Sequence, residues 1–198
     1  MGTSRITLPS LEVVLKDAFV MLSLYRFVHK WFAENEYESR GGDPNMEEDF
    51  EILYLAKEGT HMNPHESEVR LWWRTKKRGV PFANSGSKFY DYHIDIDWWA
   101  FGMVTKEIMR DGKREKVQHA ELRILIKPYM NVTDIRDTPI LKYFDQWFKS
   151  RLIKKNLEEN RKMLYQDAYK LQSAIKRYLE LNSFMPKEDV FHEKFDFI

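Results

Sequence analysis

One stretch decides the fold of this chain: Phe89-Tyr90-Asp91-Tyr92-His93-Ile94-Asp95-Ile96-Asp97-Trp98-Trp99. Successive residues of an extended strand point to opposite faces, so a period of two separates the apolar from the polar side chains. One face carries Tyr90, Tyr92, Ile94, Ile96 and Trp98, and the other carries Asp91, His93, Asp95, Asp97 and Trp99. The alternation predicts a strand with a dry face and an acidic face. By itself it predicts no reaction.

The return strand follows Asp111-Gly112, the strongest hairpin signal in the chain, because a type I′ turn needs positive φ at both central residues. Pairing outward from this turn without a bulge would place Asp97 opposite Ile126 and mix the two faces. One extra residue on the earlier strand, at Gly102, restores the match. We therefore predict a β-bulge near Gly102 and the cross-strand pairs Trp98–Ile124, Ile96–Ile126, Asp95–Lys127 and Trp99–Arg123.

The segments before this hairpin predict two further strands and a long N-terminal helix. Alternation over Phe50–Lys57 and Glu68–Arg74 is typical of strands, and Arg5–Leu8 is short enough for an edge strand. Leu11–Phe32 carries apolar residues at helical spacing around most of its circumference, with Ser10 as its N-cap. Charged residues interrupt this stretch, so it predicts a buried amphipathic helix and no membrane span.

The C-terminal part of the sequence changes to a helical period. Thr138-Pro139 is typical of a helix start, and no glycine or proline follows before Pro186. The pattern predicts either one very long helix or two helices with a kink between Asn156 and Asn160. Apolar residues seven apart need a partner for their stripe. We expect this stripe to bind a protein partner through Leu157, Leu164, Leu171 and Tyr178.

The element order indicates an α+β fold, in which long N-terminal and C-terminal helices pack on an antiparallel meander sheet of four or five strands. Residues 1–155 form the α+β domain, and residues 156–198 form a helical extension with an aromatic tail, or belong to the same domain. Pro128 lacks a donor N–H and predicts a sheet edge or the end of its strand. This order resembles that of helix-grip domains (START or Bet v 1-like), which close a curved sheet over a C-terminal helix to form a ligand cavity. No residue motif accompanies the resemblance, and it implies no site residues.

Composition limits the classes of function. The chain has 198 residues, and its 32 Lys+Arg nearly cancel 31 Asp+Glu. A net charge of +1 argues against a strongly basic nucleic-acid binder. The sequence contains no cysteine, which excludes disulfides, thiol catalysis and thiolate metal sites. With no secretory pattern at the N-terminus, we expect a soluble, cytoplasmic protein.

Two histidine clusters are weak candidates for metal sites. His93 and Asp95 share a strand face, but same-face neighbours on one strand lie ~6.5–7 Å apart, too far for the whole acidic row to ligate one ion. Basic residues predicted on both neighbouring strands make cross-strand ion pairs the favoured explanation of that row. His61 and His65 lie in a polar connection whose Pro64 disfavours a helical ligand face. We therefore expect no metal and no cofactor.

Two further groups carry the remaining candidate sites. Lys76, Lys77 and Arg78 form a basic patch at a strand connection, where Trp72 or Trp99 would offer stacking surfaces to a nucleic acid. A cavity of the helix-grip kind would be lined by Tyr90, Tyr92, Trp98 and Phe144.

Motifs of common enzyme classes are missing from the sequence. It contains no phosphate-binding glycine loop, no Gly-x-Ser-x-Gly elbow and no zinc-ligand spacing. We therefore expect a non-enzymatic interaction or assembly protein that forms homo-oligomers or binds a protein partner through its long amphipathic helices. The alternatives are an apolar small-molecule binder or enzyme of helix-grip-like topology, and a nucleic-acid-associated protein that uses the basic connections.

Overall fold

The computed structural model describes residues 3–40, 50–59, 66–79, 90–110, 113–133 and 152–181. Within these ranges the chain forms a seven-stranded antiparallel sheet and two helices, which confirms the mixed α+β class. The elements are β1 (Thr3–Thr7), β2 (Leu11–Phe19), α1 (Met21–Glu34), β3 (Glu38–Ser39), β4 (Glu51–Glu58), β5 (Ser67–Arg78), β6 (Tyr90–Arg110), β7 (Lys113–Thr133) and α2 (Leu152–Leu181).

The sheet is built outward from the β6–β7 hairpin. β5 lies beside β6, and both β3 and β4 pair with β5 on its other side. β1 and β2 both pair with β7 on the opposite side of the hairpin. The expectation of four or five strands is wrong, because each outer position of the sheet is shared by two short strands.

The predicted hairpin register is confirmed. Trp98 pairs with Ile124, Ile96 with Ile126, Asp95 with Lys127 and Trp99 with Arg123. The register shifts between the Phe101 and Val104 pairs, and Gly102 has a φ of 56°. A side chain would strain the backbone at that angle, so glycine suits the bulge. Arg110 pairs with Lys113, which agrees with a two-residue connection, although Asp111 and Gly112 lie outside the described residues.

The predicted N-terminal helix is wrong over its first half. β2 occupies that half, and α1 begins only at Met21 and has 14 residues. Leu11, Val13 and Leu15 fit a helical stripe, but they also alternate with the exposed residues Glu12, Val14 and Lys16, as in a strand with one buried face. Leu11 and Val13 are buried and Glu12 is exposed, as the strand period demands. The short N-terminal strand is confirmed as β1.

Pro128 lies inside β7, so the prediction that it marks a sheet edge or the end of its strand is wrong. β7 continues to Thr133 and has a neighbour on each side. On the outer side β1 and β2 pair with β7 one after the other, and the gap between them lies beside the proline. There the Leu8 N–H donates to the Pro128 carbonyl at 3.1 Å. A residue without a donor is tolerated there, because the adjacent ladder breaks at the same place.

Both helices pack against the dry face of the sheet. α2 is continuous over 30 residues, so the described part shows no division into two helices, and the expected start at Thr138-Pro139 lies outside the described residues. The core joins residues of the sheet and of both helices, among them Leu24, Val28, Trp73, Ile96, Trp98, Ile124, Leu164 and Leu171. Neither described helix is long and apolar enough to cross a membrane.

Candidate interaction surfaces

The acidic row of β6 is held by basic side chains of the neighbouring strands. Arg74 Nη1 of β5 lies 2.8 Å from Asp97 Oδ1, and Lys127 Nζ of β7 contacts Asp97 Oδ2. Arg74 Nε also lies 3.5 Å from Asp95 Oδ2. These ion pairs cross both strand boundaries, so they fix the register on the face of the sheet that the helices leave open.

Asp95 is only partly satisfied by these partners. The residue is 8% exposed, and no donor among the described residues lies within hydrogen-bonding distance of its Oδ1 atom. Burial raises the pKa of this carboxyl, and the nearby guanidinium of Arg74 opposes the rise. A buried carboxylate with one free oxygen favours its protonated form. Burial and the attraction of Arg74 therefore act on this carboxyl in opposite directions.

His93 has both of its ring nitrogens engaged within the chain. Its Nδ1 lies 3.1 Å from the Thr75 carbonyl, which can only accept, so Nδ1 carries the proton. The Asn131 amide then donates to Nε2 at 3.0 Å, and the ring stacks on Tyr129 with 4.7 Å between centroids. Burial lowers the pKa of His93. This neutral histidine has no lone pair left for a metal.

The described residues contain no group of three or more His, Asp or Glu that is able to hold a metal ion. The candidates His61 and His65 lie outside the described residues.

The four residues expected to bind a partner through α2 contact the chain's own core. Leu164 and Leu171 are fully buried, and Leu157 and Tyr178 are partly buried against the same cluster. Phe27 of α1 stacks on Tyr178 with 4.5 Å between ring centroids. The heptad-spaced stripe therefore finds its partner within the chain, in the sheet and in α1.

The expected cavity-lining residues belong to the same core. Tyr90, Tyr92 and Trp98 are buried, and the Tyr92 hydroxyl donates to Asn160 Oδ1 at 2.5 Å. Phe144 lies outside the described residues. The three described aromatics pack between the sheet and α2, where a ligand of a helix-grip domain would lie.

The basic patch is divided between the two faces of the sheet. Successive strand residues alternate, so Lys76 and Arg78 share the open face while Lys77 points to the other. Lys77 Nζ donates to the Asn35 carbonyl at 2.8 Å and lies 5.3 Å from the centroid of the Tyr37 ring. The three cations therefore do not form one surface for a phosphate backbone.

A row of side chains crosses the open face from one edge of the sheet to the other. Trp99 lies at its centre, 39% exposed, with its Nε1 donating to Glu68 at 2.7 Å and the guanidinium of Arg70 at 4.6 Å over its ring. Tryptophan and arginine are the residues that most often dominate protein interfaces. The strand pairings place five residues in this row, in the order Leu55, Arg70, Trp99, Arg123 and Val14.

Among the strand residues whose side chains the structure describes, β4 carries the most exposed apolar ones. Ile52 and Tyr54 are each 57% exposed, and Leu55 is 50% exposed. Among the described strands β4 pairs only with β5, so its outer backbone groups face away from the sheet. The sequence already shows apolar residues on both faces of this strand, but this pattern does not identify β4 as an edge strand.

None of the protein-family models that were scanned matches the chain. The search of curated proteins finds no significant match.

Proposed function

We propose that this protein is a non-enzymatic assembly protein that self-associates through the edges of its sheet. The exposed apolar run of β4, with Ile52, Tyr54 and Leu55 on an edge strand, carries this proposal. An edge strand presents unpaired N–H and C=O groups, and apolar side chains beside them favour the addition of another strand. Proteins usually shorten, charge or cover such an edge, unless it has a partner.

The burial of the apolar stripe of α2 favours an interface on the sheet over one on the helix. Leu164 and Leu171 are fully buried by the chain's own core, so another chain cannot reach them without unfolding the domain. Among the described residues, the sheet offers an apolar partner its open face and its two edge strands.

The ion pairs on the open face argue against the alternative that this protein binds nucleic acid. Arg70 lies 2.7 Å from Glu68, and Arg123 lies 2.6 Å from Glu121. Arg74 pairs with Asp97 on the same face. A phosphate would have to displace these carboxylates, which reduces the counterion release that drives nucleic-acid binding.

Light scattering over a range of protein concentrations tests the proposal. We expect a mass above that of one chain, rising with concentration. As a matched control, Met163→Lys with Tyr169→Lys changes two residues of α2 that are 43% and 46% exposed and should leave the association unchanged. A single-chain mass at every concentration would overturn the proposal. Loss of association in the control variant would indicate that the interface lies on α2 instead of on the sheet.

A further inference from the structure

The outer side of β2 presents a short run of backbone groups with defined ends. The Gln172 amide of α2 donates to the Glu12 carbonyl at 2.9 Å, so this carbonyl points away from β7. In an antiparallel strand the N–H and C=O of one residue point to the same side, and the sides alternate. Val14 and Lys16 therefore also present their backbone groups outward, like Glu12.

The far end of this run is closed by a local hydrogen bond. Ala18 is the next outward residue, and its N–H donates to the carboxylate of Asp17 at 2.6 Å. Among the described strands β2 pairs only with β7, so the stretch open to a new strand begins at Glu12, ends at Lys16 and is centred on Val14, which is 49% exposed. β2 pairs with β7 without a register shift, so this edge is straight.

The residues of this stretch are complementary to themselves. If two copies of β2 pair antiparallel about a two-fold axis at Val14, Glu12 lies opposite Lys16 of the partner subunit, and Lys16 lies opposite Glu12 of the partner subunit. Both pairs lie on the open face, where opposite charges on adjacent strands attract. Lys16 also pairs with Glu121 of its own chain at 3.0 Å, so its ammonium would be shared between the two carboxylates. On the other face Val13 meets Leu15 of the partner subunit.

We propose that β2 pairs in this way with β2 of a second copy of the chain, joining two sheets into one. The proposal rests on the self-association proposed above and names one interface for it. An interface that uses the same patch on both subunits closes as a symmetric dimer. The pairing forms about six backbone hydrogen bonds, two for each outward residue pair.

The helices leave room for the second strand. A groove of about 370 Å³ runs between β2 and the last turns of α2, bordered by Lys176, Leu179 and Glu180. α2 contacts both β2 and β7, so it packs over both strands and not over β2 alone. The Glu12 carbonyl would then accept from both the Gln172 amide and the added strand, since it has two lone pairs.

Cysteine cross-linking tests the register, because the chain has no native cysteine. Val14→Cys places the two thiols at the axis, where a hydrogen-bonded strand pair has Cα atoms about 5.5 Å apart, within disulfide range. Lys16→Cys is the matched control on the same strand and face, since its two copies would lie about 13 Å apart. We expect Val14→Cys to form disulfide dimers under mild oxidation and Lys16→Cys alone to remain uncross-linked. A mixture of Glu12→Cys and Lys16→Cys chains should form the mixed dimer.

Charge exchange tests the same pairing without oxidation. Glu12→Lys alone and Lys16→Glu alone should each weaken dimerisation roughly tenfold, because like charges face each other at both ends. The double variant Glu12→Lys with Lys16→Glu should restore it. Cross-linking of Val14→Cys no faster than that of Lys16→Cys, or no recovery in the double variant, would overturn this interface. If the mass of the wild type in solution still exceeds that of one chain, the proposed self-association stands without the β2 interface.

Discussion

The two edges of the sheet differ in what they offer a second strand. On β2 the charges of Glu12 and Lys16 are arranged about Val14, and hydrogen bonds from Gln172 and to Asp17 close both ends of the open stretch. On β4 the exposed side chains include Ile52, Tyr54 and Leu55, and the register against β5 shifts between Glu51 and Leu53. The β2 edge specifies one register for an added strand, whereas the β4 edge offers apolar surface with no preferred register.

This difference separates affinity from specificity. Apolar burial stabilises contact in proportion to area and has no preferred alignment, whereas charge pairs act only when the strands are in one register. The bulge at the start of β4 also bends that edge, which limits how far a flat strand can extend along it. We therefore expect β4 to supply the larger share of binding energy and β2 the defined geometry.

The largest effect should come from charging the apolar edge. Tyr54→Lys with Leu55→Lys should weaken self-association by roughly tenfold or more, because full burial of one such side chain contributes about 1.5–3 kcal/mol. Sedimentation velocity at matched concentrations measures the change. Leu22→Lys is the control, since Leu22 is as exposed as Tyr54 but lies on α1. Equal weakening of self-association in both variants would show that added surface charge in general causes the effect, and that β4 has no special part in it.

Salt should affect the two edges in opposite directions. In the Tyr54→Lys/Leu55→Lys background only the β2 pairing remains, and raising the salt to ~1 M, where the Debye length is about 3 Å, should weaken it several-fold. In a Glu12→Lys background the β4 contact remains and should be unchanged or stronger, because apolar association does not depend on charge. The same salt response in both backgrounds would remove the distinction between the edges.

A smaller effect should follow from removing the side chain that closes the β2 stretch. Gln172→Ala frees the Glu12 carbonyl and should speed disulfide formation in Val14→Cys by about twofold, since one exposed hydrogen bond contributes about 0.5 kcal/mol. Slower cross-linking would indicate that Gln172 supports the paired strand instead of competing with it. Circular dichroism of the variant checks that α2 is intact.

The sequence predicted the centre of the sheet better than its margins. The β6–β7 register followed from local signals: a two-residue turn, an alternating pattern and a glycine suited to a bulge at position 102. Leu11, Val13 and Leu15 fit both a helix and a strand, and only pairing with β7 decides between them. Tertiary context overrides local propensity at such positions.

The candidate interface was harder to predict because exposure is a property of the whole fold. The heptad spacing of α2 correctly indicates an apolar stripe, but its partner is the chain's own sheet, and a spacing does not distinguish the two. β4 showed apolar residues on both faces, which a central strand and an uncovered edge share. Only the strand order makes Tyr54 and Leu55 surface residues.

The most direct test of assembly through the sheet edges is sedimentation velocity of the wild type beside a variant changed on both edges, Val14→Lys with Tyr54→Lys. Both residues are about half exposed, so the variant should fold as the wild type does. The account predicts that the wild type associates with rising concentration and that the variant sediments as a single folded chain. A variant that associates as strongly as the wild type would contradict it, as would a wild type that never exceeds one chain.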